Sequence, residues 1–97
     1  MTVTLIATFT ARPGHRVVVA ELIAGFADHV RADPGTLVFE PFTGVDDDHD
    51  FVVYERYVDE AAFRAHLADP AGVPFNAALS EHIVGDGSVL RFLDPVR

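Results

Sequence analysis

Among the 97 residues of this chain, a few combine a reactive side chain with a place where it could act. His66 stands first: an imidazole titrates near neutrality, and His66 shares the inward stripe of a short helical pattern with Phe63 and Leu67. Phe39 and Phe75 offer flat apolar walls, Tyr54 and Tyr57 offer walls with a hydroxyl donor, and Asn76 could orient an oxygen. A dry pocket, a base with a pKa near the working pH and donors for a developing oxyanion are the parts needed to hold an aromatic ring and remove its proton. Each residue also has a structural alternative. His66 could satisfy a backbone carbonyl or Glu55, the Phe and Tyr residues could be ordinary core, and Asn76 could be a solvated or capping residue beside a proline.

Other ionisable groups point elsewhere. Glu55 lies mid-strand in an apolar segment, where a carboxylate is costly unless paired. The pairing expected of it is with an arginine such as Arg56 or Arg91 across a dimer. The run Asp46-Asp47-Asp48-His49-Asp50 has ligand-type side chains but lacks the glycine and distal glutamate of a calcium loop, and it falls where a hairpin needs a polar turn. His15, His29 and His82 fall near helix ends or outer faces with no mutual ligand spacing. No metal site is expected. The chain has no phosphate-cradling glycine-rich loop and no nucleophile elbow. With no cysteine it has no thiol nucleophile, thiolate metal site or disulfide.

Composition narrows the partners. Fifteen acids against seven bases, every base an arginine, give a formal charge of −8. Nucleic acid and anionic membranes are therefore poor partners. No run approaches the ~20 apolar residues that cross a bilayer, and the first residues lack the marks of a secretion signal, so a cytoplasmic location is expected. A chain of this length, 49% hydrophobic, makes a single domain spanning residues 1–97, of a size often completed by a partner.

The elements that must position these residues follow from periodicity. Thr2 to Thr10 alternates Val3, Leu5, Ala7 and Phe9 against Thr4, Ile6, Thr8 and Thr10, which predicts a strand ending at Arg12-Pro13-Gly14. Val19, Leu22, Ile23, Phe26 and Val30 recur at helical spacing up to Asp33-Pro34-Gly35. Leu37 to Phe42 and Phe51 to Val58 read as two strands of a hairpin. Asp59 caps a helix carrying Phe63, His66 and Leu67, interrupted at Asp69-Pro70-Ala71-Gly72. Pro74 opens a further turn or two bearing Phe75, Ala78, Leu79 and His82, and Val89 to Leu93 forms the last strand. The order β-α-β-β-α-β predicts an α+β fold of the ferredoxin-like, split βαβ kind, an antiparallel four-stranded sheet with its helices on one face. The third and fourth strands are apolar on both parities, so the other face needs cover. With no sequence left to supply it, a second copy is expected, and with it a homodimer.

Several stretches resemble the antibiotic-biosynthesis monooxygenase family: Val3-Thr4-Leu5-Ile6-Ala7 followed by Arg12-Pro13-Gly14, then Asp33-Pro34-Gly35, then Tyr54-Glu55-Arg56-Tyr57 with Asp59-Glu60-Ala61-Ala62-Phe63 and Ala65-His66-Leu67. The resemblance covers almost the whole chain and implies a dimeric α+β barrel with a pocket in each subunit between sheet and helices. The family includes cofactor-independent oxygenases of polycyclic phenols, haem-degrading enzymes and an isomerase of a signal metabolite. The Asn, Trp and His of the haem-degrading branch fall at positions held here by Ala7, His66 and Leu79, so haem degradation is not expected. Many relatives carry Pro-His-Phe where this chain reads Pro70-Ala71-Gly72-Val73-Pro74-Phe75. The activity the resemblance implies is monooxygenation of a small aromatic phenol or quinol without metal or other cofactor. His66 would be the catalytic base, and Phe39, Tyr54, Tyr57, Phe75 and Asn76 would bind substrate. Two alternatives stand beside it: a non-catalytic dimer that binds a small hydrophobic metabolite, and an isomerase of a small carbonyl metabolite.

Overall fold

A computed structural model describes residues 1–96. The elements run β1 (Val3–Thr10), α1 (Arg16–Arg31), β2 (Thr36–Thr43), β3 (Asp50–Tyr57), α2 (Glu60–Ala68), α3 (Gly72–Ser80) and β4 (Val89–Leu93). All pairings are antiparallel and the sheet order is β2-β3-β1-β4, the ferredoxin-like α+β fold that the element order predicts.

Strand alternation decides which residues meet the helices. Leu5, Ala7 and Phe9 of β1 are buried, as are Phe51, Val53, Glu55 and Tyr57 of β3. In register Leu5 pairs with Glu55 and Ala7 with Val53, while Leu5 and Ala7 lie opposite Phe92 and Leu90 of β4. These form one face. Val19, Ile23, Ala27 and Val30 of α1 are buried in the same core as Phe39, Phe51 and Val53. At about 25 cal/mol per Å² of apolar surface, this burial is the main source of stability for so small a chain.

Local signals set the ends of the helices that carry the reactive residues. Asp59 accepts a hydrogen bond from the backbone N–H of Ala62 at 2.8 Å, so α2 begins with a side-chain cap. Gly35, just before β2, lies where a Cβ would sit 2.8 Å from the Cβ of Ala62, so the missing side chain lets α2 approach that end of the sheet. Helix α3 starts at Gly72, two residues before the Pro74 start that the sequence suggests. Proline is tolerated there because the first-turn N–H groups of a helix have no intrahelical acceptor. Among the described residues no helix is long and apolar enough to cross a membrane.

Candidate active site

Between the helix-side face of the sheet and the three helices lies a cavity of about 220 Å³. Its walls are mostly apolar: Phe39 from β2, Phe26 from α1, Phe63 from α2, and aliphatic residues of the sheet such as Leu5 and Val53. An apolar cavity of roughly 150 Å³ holds benzene, so this one has room for a single substituted ring. Its polar residues are few. Glu55, His66, Asp69, Asn76 and Ser88 reach it, and among the described residues no arginine does.

Four of the six residues singled out by sequence line this cavity: His66, Phe39, Phe75 and Asn76. Phe75 stacks on Phe26 with ring centroids 4.1 Å apart and planes 4° from parallel, which ties α3 to α1 across the cavity. The ring of His66 lies 5.9 Å from that of Phe39 and 6.2 Å from that of Phe26. Tyr57 is buried beside the cavity rather than in its lining, and its ring packs against that of His66 at 5.0 Å. Tyr54 is not brought to the group. It shares the opposite parity of β3 with Val52 and Arg56, and pairs with Ile6 on the sheet face away from the helices.

The chemistry is concentrated on one buried carboxylate. Glu55 is 5% exposed and shares the inward face with Val53 and Tyr57. The Tyr57 hydroxyl donates to its Oε1 at 2.6 Å, and His66 Nε2 lies 3.8 Å from the same oxygen. This corrects the expected pairing of Glu55 with Arg56 or Arg91, because alternation turns Arg56 to the other face and β4 register does the same for Arg91. Burial pushes the Glu55 carboxyl up from 4.5 to about 7, against the opposing pull of the Tyr57 hydrogen bond. Tyr57 is raised well above the usual phenol range by burial and by the adjacent carboxylate, so its hydroxyl remains a donor. Burial lowers the pKa of His66, partly offset by Asp69 and Asp33. Asp69 is held below its ordinary value by the backbone N–H of Ala71 and by His29, whose Nε2 lies 2.6 Å from Asp69 Oδ2. At neutral pH the cavity therefore holds a neutral imidazole beside a carboxyl poised between its two forms.

Sequence reasoning misses Glu55 as a cavity residue, although its parity with Phe51, Val53 and Tyr57 carries the signal. It also separates His15 from His82, whose Nδ1 atoms lie 2.9 Å apart. The Ala11–Ile83 bridge lies beside that contact, which joins residues 67 apart in the chain and leaves no local trace. In the acidic turn, Asp47 accepts from the backbone N–H of His49 and Asp48 faces Arg16 at 3.0 Å, so these carboxylates are engaged by neighbouring protein groups.

No curated protein matches the sequence. Among solved structures, Rv0793 from Mycobacterium tuberculosis superposes with a TM-score of 0.89 at 24% identity, covering 100% of this chain and 97% of that one. PA3566 from Pseudomonas aeruginosa gives 0.89 at 25% identity, with 99% and 95% covered. A variant of SnoaB, a cofactor-independent oxygenase from Streptomyces nogalater, gives 0.85 at 24% identity, with 99% and 94% covered. The family model described as antibiotic biosynthesis monooxygenase matches residues 2–76, most of the chain and every element from β1 through α2. The chain is thus a member of the antibiotic biosynthesis monooxygenase family.

Proposed function

We propose that this protein is a cofactor-independent monooxygenase acting on a small aromatic phenol or quinol. The observation that carries the reading is the cavity itself: aromatic walls, room for one ring, and a neutral imidazole with a buried carboxyl on one side. An electron-rich phenol needs little else. Once it is deprotonated, its ring carbon can add O2, and loss of water from the resulting hydroperoxide leaves one oxygen atom in a quinone. The substrate supplies the electrons, so the protein's tasks are to bind, exclude water and move a proton. His66 is proposed as the group that meets the hydroxyl, with Phe39, Phe75 and Asn76 framing the ring. The structural likeness to SnoaB supports the reading at the level of fold.

The working form is proposed to be a cytoplasmic homodimer. In the isolated chain all helices lie on one face of the sheet, and the other face bears Ile6, Val52 and Tyr54 in its centre with Phe42 and Val89 at its edges. The cytoplasmic assignment rests on composition, an acidic chain without cysteine.

Oxygen uptake in the presence of 2-methylhydroquinone tests the activity. Purified protein is expected to accelerate uptake above the buffer rate and to yield the ring-hydroxylated methylquinone, with one atom of 18O2 in its new oxygen and the other in water. His66→Ala is expected to lower the accelerated rate about 100-fold, in line with loss of a donor to the developing phenolate oxygen. Quinol-independent uptake, or an unchanged rate in the variant, counts against the oxygenase reading or the role of His66 respectively.

A further inference from the structure

We propose that the proton of the substrate's hydroxyl comes to rest on Glu55, taken through Oε2, with Tyr57 as the positioning residue that holds Oε1. For the fate of the proton after its capture, this rests on the oxygenase reading; the capture itself does not. It also narrows the substrate to uncharged rings bearing a hydroxyl.

The geometry has three parts. Glu55 is only 5% exposed yet lines the cavity, so its carboxyl faces that space and little else. Its Oε1 is occupied by the Tyr57 hydroxyl. Among the described residues no group donates to Oε2, and this oxygen is open to the cavity rather than sealed from it. A ligand hydroxyl in the cavity would supply that donor.

The surroundings fix the sign of the charge that can enter. Among the described residues the titratable groups against Glu55 are Tyr57 on its own strand and His66 on α2, and Asp69 in the α2–α3 turn lines the same cavity, paired with His29 of α1. The cavity-lining residues of β1, β2, β4, α1 and α3 carry no charge. Two carboxyl groups and, among the described residues, no guanidinium disfavour an entering carboxylate or phosphate, whereas a neutral hydroxyl gains a charge-assisted hydrogen bond to ionised Glu55. Between the two bases, burial depresses His66 and raises Glu55, so a proton released in the cavity is held by the carboxyl.

The step balances without a redox partner. The phenol O–H bond breaks, its electron pair stays on the oxygen, and the proton forms an O–H bond at Oε2. Glu55 passes from carboxylate to acid while the ring becomes a phenolate. After O2 adds to the ring, the peroxide anion takes the proton back and Glu55 is regenerated.

Calorimetric binding of 4-cresol, which needs no turnover, tests the capture. For the parent protein, affinity is expected to tighten about tenfold from pH 5.5 to 8.5, with a midpoint near 7 as Glu55 ionises. Glu55→Gln should bind 4-cresol with a flat profile. His66→Asn should keep the rise, and Tyr57→Phe should move its midpoint upward because the bond that favours the carboxylate is gone. The methyl ether of 4-cresol should show no rise, and 4-methylbenzoate should bind at least tenfold more weakly than 4-cresol. A rise that survives Glu55→Gln, a rise lost in His66→Asn, a flat parent profile, or no binding of 4-cresol at millimolar concentration overturns the proposal. If the rise depends on Glu55 but no quinol is oxidised, the oxygenase reading fails and the role of Glu55 in binding stands. If quinols are oxidised equally well by parent and Glu55→Gln, the oxygenase reading stands and the role of Glu55 falls.

Discussion

At pH 8, Glu55→Gln is expected to melt roughly 10 °C or more above the parent protein, whereas at pH 5 the gap should shrink to roughly 5 °C or less. The folded carboxyl is raised from 4.5 to about 7, so between these values the folded state holds a proton that the unfolded state has released. Stability attributable to this group is therefore intact below pH 4.5 and declines as pH climbs through the window to 7. At higher pH the folded protein carries an ionised group whose burial costs about 3 kcal/mol, at about 1.36 kcal/mol for each pH unit between the two pKa values. For a chain of this size that corresponds to roughly 10–20 °C. Gln has nearly the same shape and still offers Tyr57 an acceptor, so the substitution removes the charge and little else. Thermal melts of both proteins at pH 5, 6.5 and 8 decide the matter. A difference between them that does not vary with pH would mean that burial does not penalise the carboxylate.

Such a stabilising substitution marks Glu55 as a group kept for work rather than for the fold. An apolar residue beside Leu5, Val53 and Tyr57 would pack without an electrostatic cost. The chain instead carries a carboxylate there and supplies a phenol donor to one of its oxygens, which is the arrangement expected of an acid–base site.

How far the sequence discloses this site depends on which interactions build it. Alternation in β1 and β3 is local, and it assigns Leu5, Ala7, Val53 and Tyr57 to one face as the structure has them. The same alternation separates Tyr54 from Tyr57, since an odd number of residues along a strand reverses the face. Reading both tyrosines as walls of one pocket overlooks that rule. An arginine is the expected partner of Glu55 because charge in an apolar strand calls for an opposite charge. Its actual neighbours are a tyrosine two residues on, which alternation along β3 places on the same face, and a histidine eleven residues on, which requires the angle at which α2 crosses β3. That angle is set by tertiary packing, including the close approach of Ala62 at Gly35, and has no signature in the local pattern. The capped start of α2 at Asp59 is different: the cap bond spans three residues, so the sequence suffices.

Replacing Phe42 and Val89 together by aspartate is expected to convert the proposed homodimer to monomers while leaving the fold of each chain intact. Phe42 pairs with Val52, Val52 with Thr8, and Thr8 with Val89, so these four residues cross the whole sheet in a single line on the face without helices. The next line is Glu40, Tyr54, Ile6 and Arg91, with its apolar pair in the middle and opposite charges at its two ends. A sheet face with an apolar centre and charged ends suits an isologous two-fold contact, where the same patch serves both partners. In the single chain Phe42 is 51% and Val89 67% exposed, so neither substitution removes much packing from the monomer. Across a two-fold, however, the double variant brings four new carboxylates to one interface, each costing several kcal/mol if buried unpaired. The assembly should be weakened by at least ~100-fold, at about 1.4 kcal/mol per factor of ten. Sedimentation equilibrium of parent and variant at micromolar concentration reads the outcome, and circular dichroism checks the fold. A parent protein that sediments as a single chain would remove the homodimer, and a variant that remains paired would place the contact elsewhere and leave this face open to solvent.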